Sequence, residues 1–380
     1  MKILQVIPFF SPKFGGSVTV PYELSKELAK RNHDITIITT DFGFNLDYAD
    51  VIRANGVTVI PFRCVANFGL FLYSPSMKIW LKKNLKNYDI IHLHNYRSYQ
   101  NNLVHILAMK FGIPYIVQAH GSVLPLFERQ NLKKLYDFVW GKKILKDASK
   151  VIALTEIEAD QYQKMGVPRD KIEEIPNGLD LSQFLHNPGR GDFRSKYKIP
   201  ENDKIILFLG RIHRIKGIDL LIAAYSELLK ELPECQLVIV GPDDNYLSII
   251  EDQIIKLEIK KKPIFTGLLF GAGKISAYTD ADVFVLPSDY ESFPIVLLEA
   301  MFYEIPVIIT KNLKHFDWID NKTGFICNRD PEDLKKHLSI LLKDEKLRQS
   351  FGANGKIIVR EYFDFQNTVQ TVIDLYNKLT

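Results

Sequence analysis

Residues 204–217 read KIILFLGRIHRIKG, and how this stretch is read decides the fold. An apolar, β-branched run ends at Gly210, passes through a short cationic loop, and reaches Gly217 at the head of GIDLLIAAYSELLKEL (217–232). The second segment carries its apolar residues at helical spacing. A buried strand that turns through glycine into an amphipathic helix is the opening of a βαβ unit. The chain begins the same way. KILQVIPFFSPKFGGS (2–17) runs into VPYELSKELAKR (20–31). Neither opening contains GxGxxG, so the dinucleotide-binding fingerprint is absent.

Working outward, further strand candidates fall at 34–40, 57–61, 89–94, 114–119, 150–154 and 171–176, and then at 235–241, 263–267, 282–288 and 305–310. Their near-continuous apolar character, with helical patterns between them, predicts parallel sheets covered on both faces. HNPGRGDFRSKYKIPEND (186–203) is rich in Gly, Pro and charge and has no apolar period. The expected boundary therefore lies there: an α/β chain of two Rossmann-like, doubly wound domains, 1–190 and 191–363. A chain of 380 residues suits two cores better than one. Beyond 331 the pattern is helical to the end. Two such domains facing each other would bring the C-terminal ends of both sheets to one cleft, where these folds bind ligands.

Bulk composition narrows the class. With 46% hydrophobic and 25% charged residues the chain reads as an ordinary globular protein. Cys64, Cys235 and Cys327 lie far apart with no CxxC pair, which argues for a reducing compartment and against a disulfide scaffold or zinc site. The N-terminal stretch lacks the form of a signal peptide, and no run of about 18 uncharged apolar residues exists. The expectation is a cytoplasmic protein. The net charge of +4 is uneven: residues 1–190 hold 24 Lys+Arg against 17 Asp+Glu, and the rest is net acidic. The basic excess gathers at Lys78–Lys86, after FGLFLY, and at Lys133–Lys150. These are either solvated helix faces or a surface for anionic lipid on the inner face of the cell membrane. No nucleic-acid-binding motif accompanies the charge.

Three stretches carry chemistry. Arg211 follows a strand, and Lys216 stands at a helix start. A planar guanidinium, a mobile ammonium and the positive end of a helix all favour a diphosphate, although two solvated loop cations would look the same. Gly15 and Gly16 precede a helix and would allow a ligand to approach the backbone, or simply form a tight turn. ESFPIVLLEA (291–300) places Glu291 and Glu299 at either end of an apolar core. Ser292 reads as an N-cap, so a helix is predicted to begin near Phe293, with free N–H groups for an anion. On a helix, eight residues rise roughly 12 Å, too far to share a proton and suited to two points on one long ligand. Two further patterns read as structural. Asp280-Ala281-Asp282 is a DxD leading into a strand, and His92-Leu93-His94 sets two imidazoles on one strand face without a third ligand nearby.

These features together resemble glycosyltransferase family 4, the retaining GT-B enzymes. The resemblance covers essentially the whole chain. It is carried by Gly15-Gly16, by His120-Gly121 after PYIVQA, by Ile175-Pro176-Asn177-Gly178-Leu179-Asp180, and by Gly210-Arg211 with Lys216-Gly217. It is carried equally by Ala281–Ser288 and by Glu291-Ser292-Phe293 through Glu299-Ala300. It implies a GT-B fold and roles for these residues. Arg211 and Lys216 would hold the donor diphosphate, Glu299 the ribose, and Glu291 and His120 would lie at the transferred sugar. Gly15, Gly16, Asn177, Phe293, Pro294 and Ile295 would complete the donor site. Helix 364–380 would rejoin the N-terminal domain. Many members carry Gly where Pro294 stands and His-Asp where this chain has His120-Gly121. The implied activity is retaining transfer of a hexosyl group from a UDP- or GDP-linked sugar to a saccharide or lipid-linked saccharide, without metal or other cofactor and without nucleic acid, in cell-envelope polysaccharide synthesis. A nucleotide-sugar epimerase and a noncatalytic sugar-nucleotide-binding subunit are the alternatives.

Overall fold

The computed structural model describes residues 1–69, 71–125, 129–184 and 189–380. The chain divides into two compact units, Met1–Asn177 with Gln366–Thr380, and Gly178–Phe365. In the first unit the strands are β1 (Lys2–Val6), β2 (Asp34–Thr40), β3 (Thr58–Phe62), β4 (Ala66–Phe68), β5 (Phe71–Tyr73), β6 (Ile90–His94), β7 (Tyr115–Gln118), β8 (Lys150–Ala153) and β9 (Ile172–Glu174). The second contains β10 (Lys204–Leu209), β11 (Cys235–Val240), β12 (Ile264–Gly267), β13 (Val283–Leu286), β14 (Val307–Thr310) and β15 (Gly324–Cys327).

The main sheet of the first unit runs β3-β2-β1-β6-β7-β8-β9, with every pair parallel. The second runs β12-β11-β10-β13-β14-β15, again parallel throughout. Each sheet is wound outward from a central first strand, so its order reverses between β1 and β6 or between β10 and β13. At such a reversal the crossovers diverge and leave a crevice beyond the strand C-termini. β4 and β5 form a separate antiparallel hairpin.

The apolar runs are central strands because both faces are covered: Ile3, Leu4 and Val6, like Ile205, Ile206 and Leu207, have no accessible surface. Helices relevant to the site are α1 (Gly16–Lys30), α2 (Glu156–Lys164), α3 (Ile218–Glu231), α4 (Gly271–Asp280), α5 (Ile295–Phe302) and α6 (Phe365–Asn377). α3 buries Ile218, Leu221, Ile222, Tyr225 and Leu228, one helical face as its periodicity predicts. α6 places Val369, Val372 and Tyr376 in the core of the first unit. Among the described residues, no helix is long and apolar enough to cross a membrane.

Two boundaries differ from the sequence reading. The units part at Asn177/Gly178, ahead of 186–203, a stretch whose residues 186–188 lie outside those described. Gly178–Phe184 belongs to the second unit because Leu179 N–H bonds to the Phe363 carbonyl at 2.7 Å, its own carbonyl accepts from Phe365 N–H at 3.1 Å, and Phe184 packs on Phe302 and Tyr303. Helix α5 starts at Ile295, not near Phe293. Pro294 is its N-cap with ψ 102°, an extended value, so the Ser292 side chain has no cap to make.

Candidate active site

In the second unit the crevice between β10 and β13 gathers the predicted donor residues. β10 ends at Leu209, and a short turn over Arg214–Lys216 delivers the chain into α3. Gly217 takes φ +66°, and a Cβ there would stand 2.1 Å from the Pro287 carbonyl oxygen, so only glycine lets the two loops meet. Asp289 N–H bonds to the Ile215 carbonyl at 2.8 Å and ties them together. As a result Lys216 Nζ lies 2.6 Å from Glu291 Oε1, which also accepts from Ser288 Oγ at 2.7 Å. Both side chains of this ion pair are largely buried. Arg211, half-exposed, pairs with Asp244 from the loop after β11. The two predicted diphosphate cations therefore each rest on a carboxylate at the C-terminal end of the sheet.

Glu299 occupies the second turn of α5 and is buried. Its Oε1 accepts from Lys274 Nζ at 2.6 Å and its Oε2 from Tyr278 Oη at 2.8 Å. Burial first, then the Glu299 charge, raises the Tyr278 phenol well above its ordinary range, so it stays a neutral donor. Lys274 and Tyr278 lie four positions apart on one face of α4, and sequence reading did not find them. The only signal was a lysine among small residues in GAGKISAYTD. At the start of α5 the N–H groups of Ile295 and Val296 have no intrahelical acceptor, and they mark the positive end of the helix. Phe293 is buried against Phe316 and Phe363, so it supports this turn from below.

The DxD is structural. Asp280 accepts from the N–H groups of Gly191 and Arg194 at 2.6 and 2.9 Å. Asp282 accepts from Ile205 N–H at 2.8 Å and pairs with Arg194.

In the first unit Gly15 adopts φ +68° and ψ −149°, closed to residues with a Cβ, and hands the chain to α1 at Gly16. A Cβ on either glycine would meet no atom within 4 Å, so the turn faces open space. Asn177 is buried at the end of this unit. His120 follows β7 with φ +50°, a strained conformation for a residue with a side chain. α2 holds the backbone on both sides of it. Ala119 N–H donates to Tyr162 Oη at 3.0 Å, and Gly121 N–H donates to Glu158 Oε1 at 2.6 Å. Glu158 Oε2 accepts from Leu154 N–H at 2.8 Å. Burial pushes its carboxyl up to about 7 despite these two bonds. The carboxylate under the histidine loop thus comes from α2, where the chain itself has Gly121.

His92 and His94 do share one face, as the strand period requires, and their ring centroids lie 4.1 Å apart. His94 Nδ1 lies 3.0 Å from His120 Nε2, and His94 Nε2 lies 2.6 Å from Gln5 Oε1. Tyr376 Oη of α6 lies 2.6 Å from His92 Nδ1. Burial lowers His92 and His120 to about 3 and His94 well below the ordinary imidazole range, so all three are neutral.

Residues 14–183 match Glycosyltransferase Family 4 and residues 189–357 match Glycosyl transferases group 1. The chain is 26% identical to an uncharacterised glycosyltransferase of Methanocaldococcus jannaschii, over 99% of this chain and 98% of that one. It is 25% identical to the phosphatidyl-myo-inositol mannosyltransferase of Mycobacterium tuberculosis, over 99% and 96%. Among solved structures, Anabaena HepE in complex with UDP and glucose superposes over 100% of both chains with a TM-score of 0.84 at 19% identity, a likeness of fold. With both halves matched and each built on a parallel Rossmann-like sheet, the chain belongs to the group 1 glycosyltransferases of family 4, enzymes of the GT-B fold.

Proposed function

We propose that this glycosyltransferase is retaining and moves a hexosyl group from a UDP- or GDP-linked sugar to a saccharide or lipid-linked saccharide in cell-envelope polysaccharide synthesis. The observation that carries the donor half is the convergence of Lys216, Glu291 and the N-terminus of α5 at one sheet reversal, with Glu299 one helical step further on. When the glycosidic bond breaks, negative charge grows on the diphosphate while the sugar becomes oxocarbenium-like. Lys216, Arg211 and the N–H groups of Ile295 and Val296 would stabilise that charge, which is where most of the barrier lowering in such a reaction comes from. Glu299 would take the ribose hydroxyls in place of Lys274 and Tyr278. Glu291 would release Lys216 to the diphosphate and turn to the sugar. Among the described residues no side chain at the site reads unambiguously as a covalent nucleophile, so attack by the acceptor on the face the leaving group vacates is the route to retention that we favour. The UDP and glucose bound to HepE support a donor of this kind, and the mycobacterial relative, a phosphatidyl-myo-inositol mannosyltransferase, supports a lipid-borne acceptor.

The test is a panel of UDP- and GDP-sugars, read by released nucleoside diphosphate and by the anomeric configuration of the product. Donor conversion without any acceptor would favour the epimerase instead. Nucleotide-sugar binding without turnover would favour a noncatalytic subunit. The charge stabilisation described above uses no divalent ion, so turnover should survive EDTA. Loss of turnover restored by Mg²⁺ or Mn²⁺ would reject that part of the mechanism.

The proposal extends to an anionic membrane as partner of the first unit. Its helical stretch 130–147 exposes Leu132, Leu135, Phe138 and Trp140, with Phe138 83% exposed, among the exposed Lys134, Lys142 and Lys143. Gly69 of the β4–β5 hairpin lies against the Arg129 guanidinium, next to this stretch. Apolar side chains ringed by lysines suit an anionic interface. Phe138→Asp should cut sedimentation with vesicles of phosphatidylglycerol and phosphatidylcholine at least fivefold. Equal binding of wild type to purely zwitterionic vesicles, or no loss in the variant, would count against the surface.

A further inference from the structure

The imidazole of His120 has a defined tautomer. Gln5 Oε1 is an acceptor, so His94 carries its proton on Nε2 and offers Nδ1 as a lone pair. His120 Nε2 is 3.0 Å from that lone pair and must be the donor. Since His120 is neutral, its own Nδ1 is bare, and among the described residues that atom has no hydrogen-bond partner. At its other end the Gln5 amide nitrogen donates to Tyr376 Oη at 3.4 Å. Tyr376 Oη also lies 2.6 Å from His92 Nδ1. Gln5 and His92 are paired in register on adjacent strands, and all of these groups but His120 are fully buried. The chain Tyr376–Gln5–His94–His120 therefore runs from the C-terminal helix to the loop after β7.

We propose that His94 and Gln5 are positioning residues that present His120 to the substrate as a hydrogen-bond acceptor, so that the enzyme selects a neutral sugar carrying a hydroxyl at that point and disfavours a uronyl donor. This rests on the reading that His120 faces the transferred sugar. A hydroxyl can donate to the bare Nδ1. A carboxylate cannot, and its lone pairs oppose that of the ring. Because His94 has no second tautomer while Gln5 holds it, His120 cannot invert its donor and acceptor ends to suit the other ligand.

The wild-type protein tests this without substitution. Long-range ¹H–¹⁵N correlation on histidine-labelled enzyme should find His120 protonated at Nε2 and bare at Nδ1; protonation at Nδ1 overturns the proposal. In kinetics, kcat/KM for UDP-glucose should exceed that for UDP-glucuronate at least tenfold, with GDP-mannose and GDP-mannuronate as the pair if the panel selects guanine. His94→Phe frees the His120 tautomer, and the ratio should then narrow at least threefold. A purely structural role for His94 would slow both donors alike and leave the ratio unmoved, which rejects the proposal. Gln5→Glu still accepts from His94 Nε2 and should keep the wild-type tautomer. His120→Ala separates the two claims: full activity in that variant removes His120 from the sugar, whatever its tautomer, whereas lost activity with the wrong tautomer rejects only the inference drawn here.

Discussion

Glu291 and Glu299 stand eight positions apart and keep different company. Glu291 lies in the loop before α5, held by Lys216 and Ser288, whereas Glu299 is buried inside the helix between Lys274 and Tyr278. Their substitution should fail in different ways. Glu299→Ala leaves Lys274 and Tyr278 without their acceptor and, with Glu299 at the ribose as proposed, would remove contacts to donor and free nucleotide alike. Hydrogen bonds to a charged group are worth about 1.5–3 kcal/mol, so affinity for both should drop roughly tenfold to a hundredfold by calorimetry. Glu291→Gln neutralises the partner of Lys216 and leaves that cation free for a diphosphate. Free UDP or GDP should bind as well as before or better, while turnover falls, the pattern of an interaction made with the sugar. Equal weakening of the free nucleotide by both variants would show that the two carboxylates share one role.

At the scale of elements, α5 shows what sequence could and could not supply. Its apolar core and its flanking carboxylates were legible, because burial and helix length follow from pattern. Its first residue was not, because Ser292 and Pro294 compete for the cap and the choice depends on how the preceding loop docks on the β10 turn. With Pro294 as N-cap, one backbone N–H at the positive end of the helix is missing. Pro294→Ala restores it at a φ of −79° that alanine adopts freely. Nucleoside diphosphate affinity should rise severalfold, about the worth of one hydrogen bond. A fall in affinity would show that the loop, and not the donor, needs the proline. The strands were legible where the runs were long and β-branched. β15 and the β4–β5 hairpin were not, since GFIC and the two three-residue strands are too short for either period to register. Lys274, Glu158 and Gln5 escaped for a different reason. Each reaches its partner across 25 residues or more, except where Glu158 also bonds nearby Leu154, and no local pattern encodes such pairings.

The whole molecule has two large sheets of the same winding, but among the described residues only the first unit contains fully buried histidines. His92 and His94 have no accessible surface, and His120 keeps a little. Folded values of about 3 for His92 and His120, and a strongly lowered one for His94, lie below the usual 6.5 of an unfolded chain. Between about pH 3 and 6.5 the unfolded state therefore binds protons that the native state refuses, and stability of this unit rises with pH across that window and levels off above it. Glu158 opposes them. Its folded value is raised to about 7 from 4.5, so between those limits the native state holds a proton the unfolded chain has lost, and its contribution falls as pH rises. Three imidazoles outweigh one carboxyl, with His120 giving the smallest share because part of it stays in water. Acidification from pH 7.5 to pH 5 should thus loosen the first unit selectively. Hydrogen–deuterium exchange, corrected for the intrinsic effect of pH, should show protection lost over β6 and β7 while β10 and β11 hold. Equal loss in both units, or greater protection of β6 at the lower pH, would mean that these histidines are not carried neutral in the fold.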